Sequence, residues 1–395
     1  MAGFLLSRMG VDVLVLEKHA DFLRDFRGDT IHPSTLELMY ELGLLDEFLK
    51  RPHQEIREIT AQVGNGTATL GEFTHLPTHC RFLAQMPQWD FLNFLCEQAV
   101  RYPDFHFRNR TEVTDLIQEQ GKITGLRAKT PDSEIEVLAD LIIAADGRHS
   151  IVRKQAQLKA INLGAPMDVL WMRLSRRPGD PGQTFGRADS GRLLVLIQRN
   201  DYWQCAYVIA KGTIGELRQR GLTAFREEIA RLSPFLHDRV QELKDWKQVS
   251  LLTVVVDRLE TWSRPGLLCI GDAAHAMSPI GGVGINLAIQ DAVATANILG
   301  PALLRGVPTR DELQKVQERR EFPTRAIQRM QIMVQNRVIK RVLSSTRPLS
   351  LPWPLRLLNS WPFLRRFPAR FIGMGPRPEH VKTPDVHAYR ESLAA

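Results

Sequence analysis

The chain has 395 residues, of which 44% are hydrophobic, and a formal net charge of +8 at pH 7. This length predicts two domains, or three at most, and the ordinary composition excludes wholesale disorder. A basic excess can signal nucleic acid, a membrane surface or an anionic cofactor. The sequence has no helix-turn-helix, zinc-finger or RNA-binding signature, so nucleic acid ranks last among these partners.

The cysteines are too far apart for any paired spacing, which argues against a disulfide framework and against a zinc site. We therefore expect a protein of the reducing cytoplasm that carries no metal. No apolar run in the sequence is long enough to span a bilayer, and the first residues lack the flanks of a signal peptide. The cysteines are Cys80, Cys96, Cys205 and Cys269.

The first part of the chain alternates between helical and strand-like patterns. Residues 2–9 are typical of the end of a helix. The run 11–16, rich in valine and leucine, predicts a buried parallel strand, and it ends in Glu17. Further helices are predicted to begin at Pro33 and at Gln88.

The middle of the chain changes character. Strand-like stretches at 169–174, 193–198 and 203–209 are separated by Gly, Pro, Asp and Asn, which predicts an antiparallel sheet in a separate domain. Residues 311–343 are predicted to be helical. The tail beyond them is rich in proline and tryptophan and is predicted to be irregular.

A glycine-rich loop carries the strongest chemical signal. The short apolar run 267–270 leads into Gly271-Asp272, and the loop then continues to Gly282 before a predicted helix. Ligands bind at the carboxyl ends of strands in open α/β sheets, where a carboxylate can accept hydrogen bonds from a polyol. The free N–H groups of the following helix point into the same place and suit a flavin ring. A connection that merely needs glycines is the alternative, and it is the weaker one because every element has a matching role.

Two further features fit the same kind of site. The buried run 141–145 leads into Asp146-Gly147, followed by Ser150 and Arg153. By itself this pattern would indicate a turn with a helix cap, but paired with Gly271-Asp272 it indicates a second part of the site. Taken alone, Glu17 fits two interpretations equally well. It is either a solvated residue at a strand end or the acidic residue that hydrogen-bonds a ribose in dinucleotide-binding units.

Together these runs resemble the class A flavoprotein monooxygenases, the group that includes para-hydroxybenzoate hydroxylase and phenol hydroxylase. The resemblance extends from residue 1 to about residue 345. The run from Gly271 to His275, with Pro279 and Gly282, is highly specific for the group. The run Asp146-Gly147…Ser150…Arg153 matches its second fingerprint. Two further features, Arg27-Gly28-Asp29 and Gln88, fall where the family places an arginine and a glutamine that contact FAD.

The resemblance implies an α/β fold with a discontinuous Rossmann-like FAD-binding domain, residues 1–162 and 256–345. An inserted antiparallel-sheet substrate domain, residues 163–255, and a C-terminal tail, residues 346–395, complete the predicted organisation. The implied reaction is the hydroxylation of an aromatic or conjugated small molecule, with FAD as cofactor and with NAD(P)H and O2 as co-substrates. A flavin-dependent halogenase is disfavoured because the W-x-W-x-I-P run is absent from the sequence.

The same resemblance assigns roles in cofactor binding. Asp272 would hold the ribityl chain, Glu17 the adenosine ribose and Arg27 the pyrophosphate, while Asp146 would serve the FAD diphosphate and the approach of NAD(P)H. No catalytic acid or base is predicted, because in this family the chemistry belongs largely to the cofactor; for His275 we expect a supporting hydrogen bond. Pro279 and the amides after it would lie beside the isoalloxazine. The predicted cofactor-binding residues are Glu17, Arg27, Gln88, Asp146, Gly147, Gly271, Asp272, Pro279, Gly281, Gly282 and Val283.

One departure from the family pattern concerns the start of the chain. The ribose-binding acidic residue normally follows the G-x-G-x-x-G loop by about 20 residues, and Glu17 stands too early for that loop to fit. We therefore expect the first strand and its glycine loop to be missing from the chain as written, which would then bind FAD poorly. Two alternatives stay open: an FAD oxidoreductase that does not hydroxylate, and an inactive fragment.

The sequence predicts the substrate, membrane contact and oligomeric state less clearly than the cofactor. The tail from residue 353 to 371 is apolar, aromatic and basic and could dock on an anionic membrane. Its prolines argue against a continuous amphipathic helix and favour packing on the body or a subunit contact, in a monomer or a homodimer. Candidates for lining the substrate pocket are Trp171, Met172, Gln198, Trp203, Gln204 and Tyr207.

Overall fold

The computed structural model describes residues 1–23 and 30–387 of the chain. Its helices are α1 (Ala2–Arg8), α2 (Pro33–Glu41), α3 (Leu45–Leu49), α4 (Gln88–Ala99), α5 (Ile151–Gln155), α6 (Ile214–Gln219), α7 (Leu222–Leu232), α8 (Gly284–Leu303), α9 (Arg310–Val334), α10 (Lys340–Leu343), α11 (Trp353–Ser360) and α12 (Arg366–Gly373). Short 3-10 turns include Gly271–Ala273, Ile280–Gly282 and Pro362–Arg365, and a π-helical turn, Gln335–Ile339, joins α9 to α10.

The strands follow the predicted runs closely and add several that the sequence patterns did not reveal. They are β1 (Val13–Leu16), β2 (Thr30–Ile31), β3 (Gln54–Ile56), β4 (Glu58–Val63), β5 (Gly66–Glu72), β6 (Leu83–Gln85), β7 (Phe105–Arg108), β8 (Glu112–Glu119), β9 (Lys122–Lys129), β10 (Glu134–Leu138), β11 (Ile142–Ala144), β12 (Ala160–Asn162), β13 (Met167–Ser175), β14 (Phe185–Asp189), β15 (Arg192–Gln198), β16 (Tyr202–Ala210), β17 (Ser250–Leu252), β18 (Asp257–Leu259), β19 (Ser263–Arg264) and β20 (Leu267–Cys269).

Short parallel strands form the framework of the predicted FAD-binding part. β1 pairs in parallel with β7, and β11 pairs in parallel with β20, with Ala144 opposite Cys269. β11 and β20 are brief apolar runs because helices cover them, as is usual for parallel sheets, whereas β7 alternates between half-buried and exposed residues. Helix α1 crosses α8 so closely that a Cβ on Gly300 would lie 2.5 Å from the Sδ of Met9. The carboxyl ends of β11 and β20 therefore lie side by side on a helix-packed base.

A seven-stranded sheet forms the second part of the molecule, in the order β17-β13-β16-β15-β14-β4-β5. Neighbouring strands are antiparallel except for β14 and β4, which are parallel. β4 and β5 come from residues that we assigned to the FAD-binding domain, so this sheet draws on more of the chain than residues 163–255. One face, with Leu170, Leu194 and Leu196, packs against α7 and forms a hydrophobic core.

The tail differs from the sequence expectation, because it contains two short helices, α11 and α12, that lie against β5. The prolines that suggested irregular chain stand at helix starts, where their missing N–H costs nothing. Pro352 is the N-cap of α11, and Pro354 lies in its first turn. No helix in the described part of the chain is both long and apolar enough to cross a bilayer.

Candidate active site

The two aspartate–glycine runs meet at one edge of the parallel strands. The amide of Ile270 donates a hydrogen bond to the carbonyl of Ala144 at 2.9 Å, so β20 and β11 leave the sheet together. Gly271 then adopts φ +57°, in the left-handed region that favours glycine, and begins a 3-10 turn that contains the half-buried Asp272. The sequence prediction that these runs share one site agrees with this arrangement of the strand ends.

Arg153 connects the two runs. Its guanidinium contacts Asp257 at 3.0 Å and the carbonyl of Ala273 at 3.4 Å. Asp257 in turn accepts the amide hydrogen bond of Ala276 at 3.1 Å. Sequence reasoning did not find Asp257, because it lies in a short strand with no motif of its own. Arg153 thus acts as a positioning residue that fixes the Gly271 turn relative to the helix after Asp146.

Behind the Gly271 turn lies a buried ionic network centred on Asp291 of α8. One carboxylate oxygen accepts the amide hydrogen bond of Gly271 at 3.0 Å and contacts the Nε2 of His275 at 2.5 Å. The other accepts from the Nε of Arg320 at 2.9 Å, and Arg320 also pairs with Glu379 at 3.1 Å. The expected supporting hydrogen bond of His275 is therefore present.

The electrostatics of this network follow from its burial, since Asp291 is 0% exposed and Arg320 is 1% exposed. Burial by itself raises the pKa of the Asp291 carboxyl, but His275 and Arg320 together outweigh it and hold that pKa below its usual value. The Gly271 amide is thus anchored to a carboxylate that stays ionised. Sequence reasoning missed both Asp291 and Arg320.

The loop from Pro279 to Val283 is the other half of the predicted flavin surface. Gly281 and Gly282 have φ of +78° and +62°, and a Cβ on Gly282 would lie 3.2 Å from the Oγ1 of Thr30. The side-chain amide of Gln331 donates to the carbonyl of Ile280 at 3.0 Å and holds the loop from behind. Only glycine combines this backbone twist with so close an approach.

His32 borders the same loop. Its backbone amide donates to the Oδ1 of Asn286 at 2.8 Å, and its Nδ1 lies 2.8 Å from the carbonyl of Ile372 in α12. Burial lowers the pKa of His32 to about 4, so the ring is neutral at physiological pH. The backbone of Gly281 also lies beside the ring, so His32 is held between α12 and the loop. The C-terminal helix therefore helps to shape this loop.

The remaining predicted residues stand on neighbouring elements. Glu17 follows β1, and its Oε1 accepts the amide hydrogen bond of His19 at 2.9 Å. Gln88 is the first residue of α4 and is half-buried. Asp146 is exposed and accepts from the amide of Val152 in the first turn of α5, at 3.3 Å, while Ser150 is the N-cap of that helix. Arg27 lies outside the described residues.

Three of the suggested pocket residues face away from the site. Met172, Trp203 and Tyr207 lie in the core between the sheet and α7, and the hydroxyl of Tyr207 donates to Glu228 at 2.7 Å. The alternation of strand side chains places Trp171 on the opposite face, where it packs in the cluster that contains Ile280. The sequence could not show which alternate residues face the loop.

The residues present fit a flat ring with a polyol tail. An added Cβ on Gly147, where φ is +86°, would meet no atom within 4 Å, so a ligand can approach this backbone closely. Asp272 supplies a carboxylate at the same sheet edge. Gly281 and Gly282 present a tightly turned backbone to the other side.

Comparison with known proteins decides the family. The sequence pattern of the family described as FAD binding domain matches residues 1–330. The chain belongs to this family. The enzyme 6-methylpretetramide 4-monooxygenase of Streptomyces rimosus is 32% identical over 350 residues, which cover 88% of this chain and 84% of that protein.

Solved structures of FAD-binding-domain relatives show the same fold. The p-nitrophenol 4-monooxygenase PnpA of Pseudomonas putida matches with a TM-score of 0.73 at 19% identity, over 100% of this chain and 93% of that one. The anhydrotetracycline hydroxylase of Streptomyces rimosus matches with a TM-score of 0.71 at 21% identity, over 94% and 73% of the two chains. The predicted fold class and the resemblance to class A flavoprotein monooxygenases are confirmed.

The family also settles the enzyme class and the cofactor. The protein is an FAD-dependent oxidoreductase of the monooxygenase type, with FAD as its cofactor and the NAD(P)H co-substrate typical of the family. The individual residue roles stay predictions.

Proposed function

We propose that this enzyme hydroxylates a multi-ring aromatic substrate of the polyketide type, held between the Pro279–Gly282 loop and the face of the seven-stranded sheet that lies opposite α7. The observation that carries the proposal is the 32% identity, over 88% of this chain, to an enzyme named as a monooxygenase of 6-methylpretetramide. Localisation in the cytoplasm and a monomeric or homodimeric state stay part of the proposal.

The face of the sheet opposite α7 supports a flat apolar substrate, next to the part of that face that Ile339 and Leu343 cover. In β15, Leu194 and Leu196 are buried against α7, whereas Leu193 and Val195 on the other face are only half-buried. These two side chains share a cluster with Trp171 and with Ile280 of the loop. Ligand sites are mostly apolar surfaces with a few polar groups, and this face is of that kind.

A polar group at the end of this face would orient the substrate. Gln204, which is 3% exposed, accepts hydrogen bonds from the Nε and Nη2 of Arg199 at 3.1 Å and 2.9 Å. The pair is fixed, and Gln204 alternates onto the same face of β16 as Ala206, opposite to Trp203 and Cys205. We assign it the recognition of a ring hydroxyl or carbonyl.

FAD would be held along the edge formed by the two aspartate–glycine runs. Asp272 would bind the ribityl hydroxyls, Gly147 and Asp146 the diphosphate region, and Glu17 the adenosine ribose. Arg27 and Gln88 would add the contacts implied by the family pattern. Pro279, Gly281, Gly282 and Val283 would lie along the isoalloxazine. When bound, FAD supplies the oxygen-activating chemistry, and the chain positions the substrate ring and excludes water.

The substrate proposal is tested with purified enzyme loaded with FAD. NAD(P)H oxidation should accelerate when a multi-ring polyketide such as 6-methylpretetramide is added, and label from 18O2 should enter the product. Trp171→Ala should raise KM about tenfold, the factor for ~1.4 kcal/mol of lost ring contact. Phe322→Ala, at an exposed position of α9, is the matched control and should leave KM unchanged. Product that is dehydrogenated but never labelled would favour the non-hydroxylating alternative.

The cofactor assignment has its own test. Asp272→Ala should weaken FAD binding by roughly 1.5–3 kcal/mol, which is a rise in Kd of about ten- to a hundredfold. Quenching of flavin fluorescence on titration measures this Kd directly. Asp132→Ala, in the exposed turn between β9 and β10, serves as the control. Equal Kd in wild type and Asp272→Ala would remove the main support for the assignment.

A further inference from the structure

The segment 344–373 presents an unusual surface. It contains five arginines and no acidic residue. Its large apolar side chains are exposed rather than packed: Trp353 is 75% exposed, Trp361 55% and Phe367 67%. We call the exposed residues Trp353, Leu357, Trp361, Phe363 and Phe367 the aromatic patch.

The segment is fixed to the body by its other side. The side-chain amide of Asn359 donates to the carbonyl of Thr67 at 2.7 Å, and a Cβ on Gly64 would lie 1.9 Å from the carbonyl oxygen of Leu349. Ala369 of α12 is fully buried beside Gly71. Because these contacts use the inner side of the segment, the outward direction of the aromatic patch is set by the fold.

The patch is continuous along the surface. Trp353 and Leu357 are four residues apart and therefore share one side of α11, and Trp361 follows directly at the end of that helix. The rings of Trp361 and Phe363 are 5.8 Å apart, which joins this row to the second one, formed by Phe363 and Phe367. Contiguous exposed apolar surface of this kind marks an interaction site.

The charge around the patch identifies what covers it. Arg347, Arg356, Arg366 and Arg370 are exposed, and Arg365 is half-buried. A symmetric contact with a second copy would place the same arginines opposite each other, and like charges across an interface are costly. An anionic lipid surface attracts the arginines and accepts the aromatic side chains at its boundary.

We propose that the aromatic patch and its arginines dock the enzyme on the surface of an anionic bilayer. Segments with aromatic and leucine side chains on one side and arginines around them lie in the interface, with the apolar side chains reaching ~5–10 Å into it. The packing on the body that the sequence favoured is present on the inner side of the segment, which lies against β5, whereas the aromatic patch on its outer side is exposed. The prolines do not prevent this arrangement, because they stand at helix starts.

The docked segment also reaches the site. α12 carries Phe367 near its start and Ile372 near its end, and the carbonyl of Ile372 is the partner of His32 beside the Gly282 loop. A helix of this length spans only ~12 Å. Docking would therefore place a bilayer close to the candidate active site and its apolar sheet face.

Co-sedimentation of the full chain with vesicles tests the proposal. We expect binding to vesicles of phosphatidylcholine with phosphatidylglycerol, weaker binding to phosphatidylcholine alone, and loss of binding at high salt because exposed charges are screened. The double variant Trp361→Ser with Phe367→Ser should lose binding. Arg366→Gln and Arg370→Gln should each lower the partition coefficient about fivefold, which corresponds to ~1 kcal/mol per charge.

Matched controls come from exposed positions away from the patch. Phe322→Ser, at a side chain that is 58% exposed, and Arg101→Gln should leave the partition coefficient unchanged. All variants should melt at the wild-type temperature, because each altered side chain is exposed. Wild-type protein that ignores anionic vesicles would overturn the proposal. The proposal would also be overturned if light scattering showed a concentration-dependent dimer that the patch variants abolish, while the wild-type protein binds no lipid.

Discussion

Replacing Asp291 by asparagine tests the buried network most directly. The two carboxylate oxygens of Asp291 receive three donors, from Gly271, His275 and Arg320. An asparagine has the same shape but turns one oxygen into an NH2 group. At least one of the three donors would then face another donor inside a site that is 0% exposed.

The expected cost follows from what remains after the change. Breaking a buried ion pair by neutralising one partner costs about 3–5 kcal/mol, because the other charge stays buried. Arg320 keeps its contact with Glu379 at 3.1 Å, so the lower end of that range, about 3 kcal/mol, is expected. The Gly271 turn should loosen at the same time, and FAD affinity should fall with it.

Urea unfolding of Asp291→Asn and wild type, followed by circular dichroism at pH 7, measures the difference. Glu136→Gln is the matched control, because it neutralises one partner of an exposed pair, Arg127–Glu136 at 2.9 Å, and should cost less than ~1 kcal/mol. A cost for Asp291→Asn as small as that of the control would refute the reasoning.

The pH dependence of this difference has a definite sign. The pKa of Asp291 is depressed in the folded protein, so its charge contributes stability above the ordinary aspartate pKa of ~3.9. That contribution is lost as the pH falls through the folded value. The gap between wild type and Asp291→Asn should therefore be constant near neutrality and close only in acid.

Two further predictions concern the Gly282 loop. Gly282→Ala should destabilise the protein and weaken FAD binding, because alanine at φ +62° costs ~1–2 kcal/mol and its Cβ would press on Thr30. The control is Gly215→Ala, because a Cβ added there meets no atom within 4 Å. For His32, whose folded pKa is lowered to about 4, the stabilising effect of the neutral ring is complete above pH 6.5 and is lost as the pH falls towards 4, by about 3 kcal/mol in all. His32→Asn should therefore show a smaller loss of stability than wild type over this window in urea titrations, and parallel curves would contradict the assigned burial.

The parts of the fold that the sequence predicted are those with strong local signals. β11, β20 and α8 follow apolar runs bounded by Asp and Gly, and the structure places them within a few residues of the predicted bounds. β4 and β5 were not predicted, because their side chains alternate without a clear apolar set and their place is decided by pairing with β14. Tertiary contact, rather than local pattern, specifies such strands.

The candidate site shows the same division. Glycines with a positive φ can be anticipated from a motif, because the chain needs them wherever it turns sharply, and Gly271 and Gly282 were found in this way. Which side chains of an alternating strand face a ligand depends on which face a helix covers. Trp203 and Tyr207 were suggested as pocket residues and instead pack against α7, whereas Trp171 faces the loop.

The sequence did not predict the ionic network behind the Gly271 turn, because its members come from α8, α9 and the tail and no local spacing connects them.

The sequence of α8 nevertheless carried a weaker signal of this network. α8 is an apolar helix that carries Asn286, Gln290 and Asp291, and a polar side chain on such a helix is retained only if a partner satisfies it. Asn286 binds the Thr30 carbonyl at 2.8 Å, Gln290 the amide of Glu379, and Asp291 the Gly271 amide at 3.0 Å. Each of these polar residues ties a separate stretch of chain to the same helix. α8 is therefore the element on which the Gly271 turn, the Gly282 loop and the C-terminal segment are aligned. Substitutions on its polar face should disturb cofactor binding more than substitutions of equal size on its apolar face.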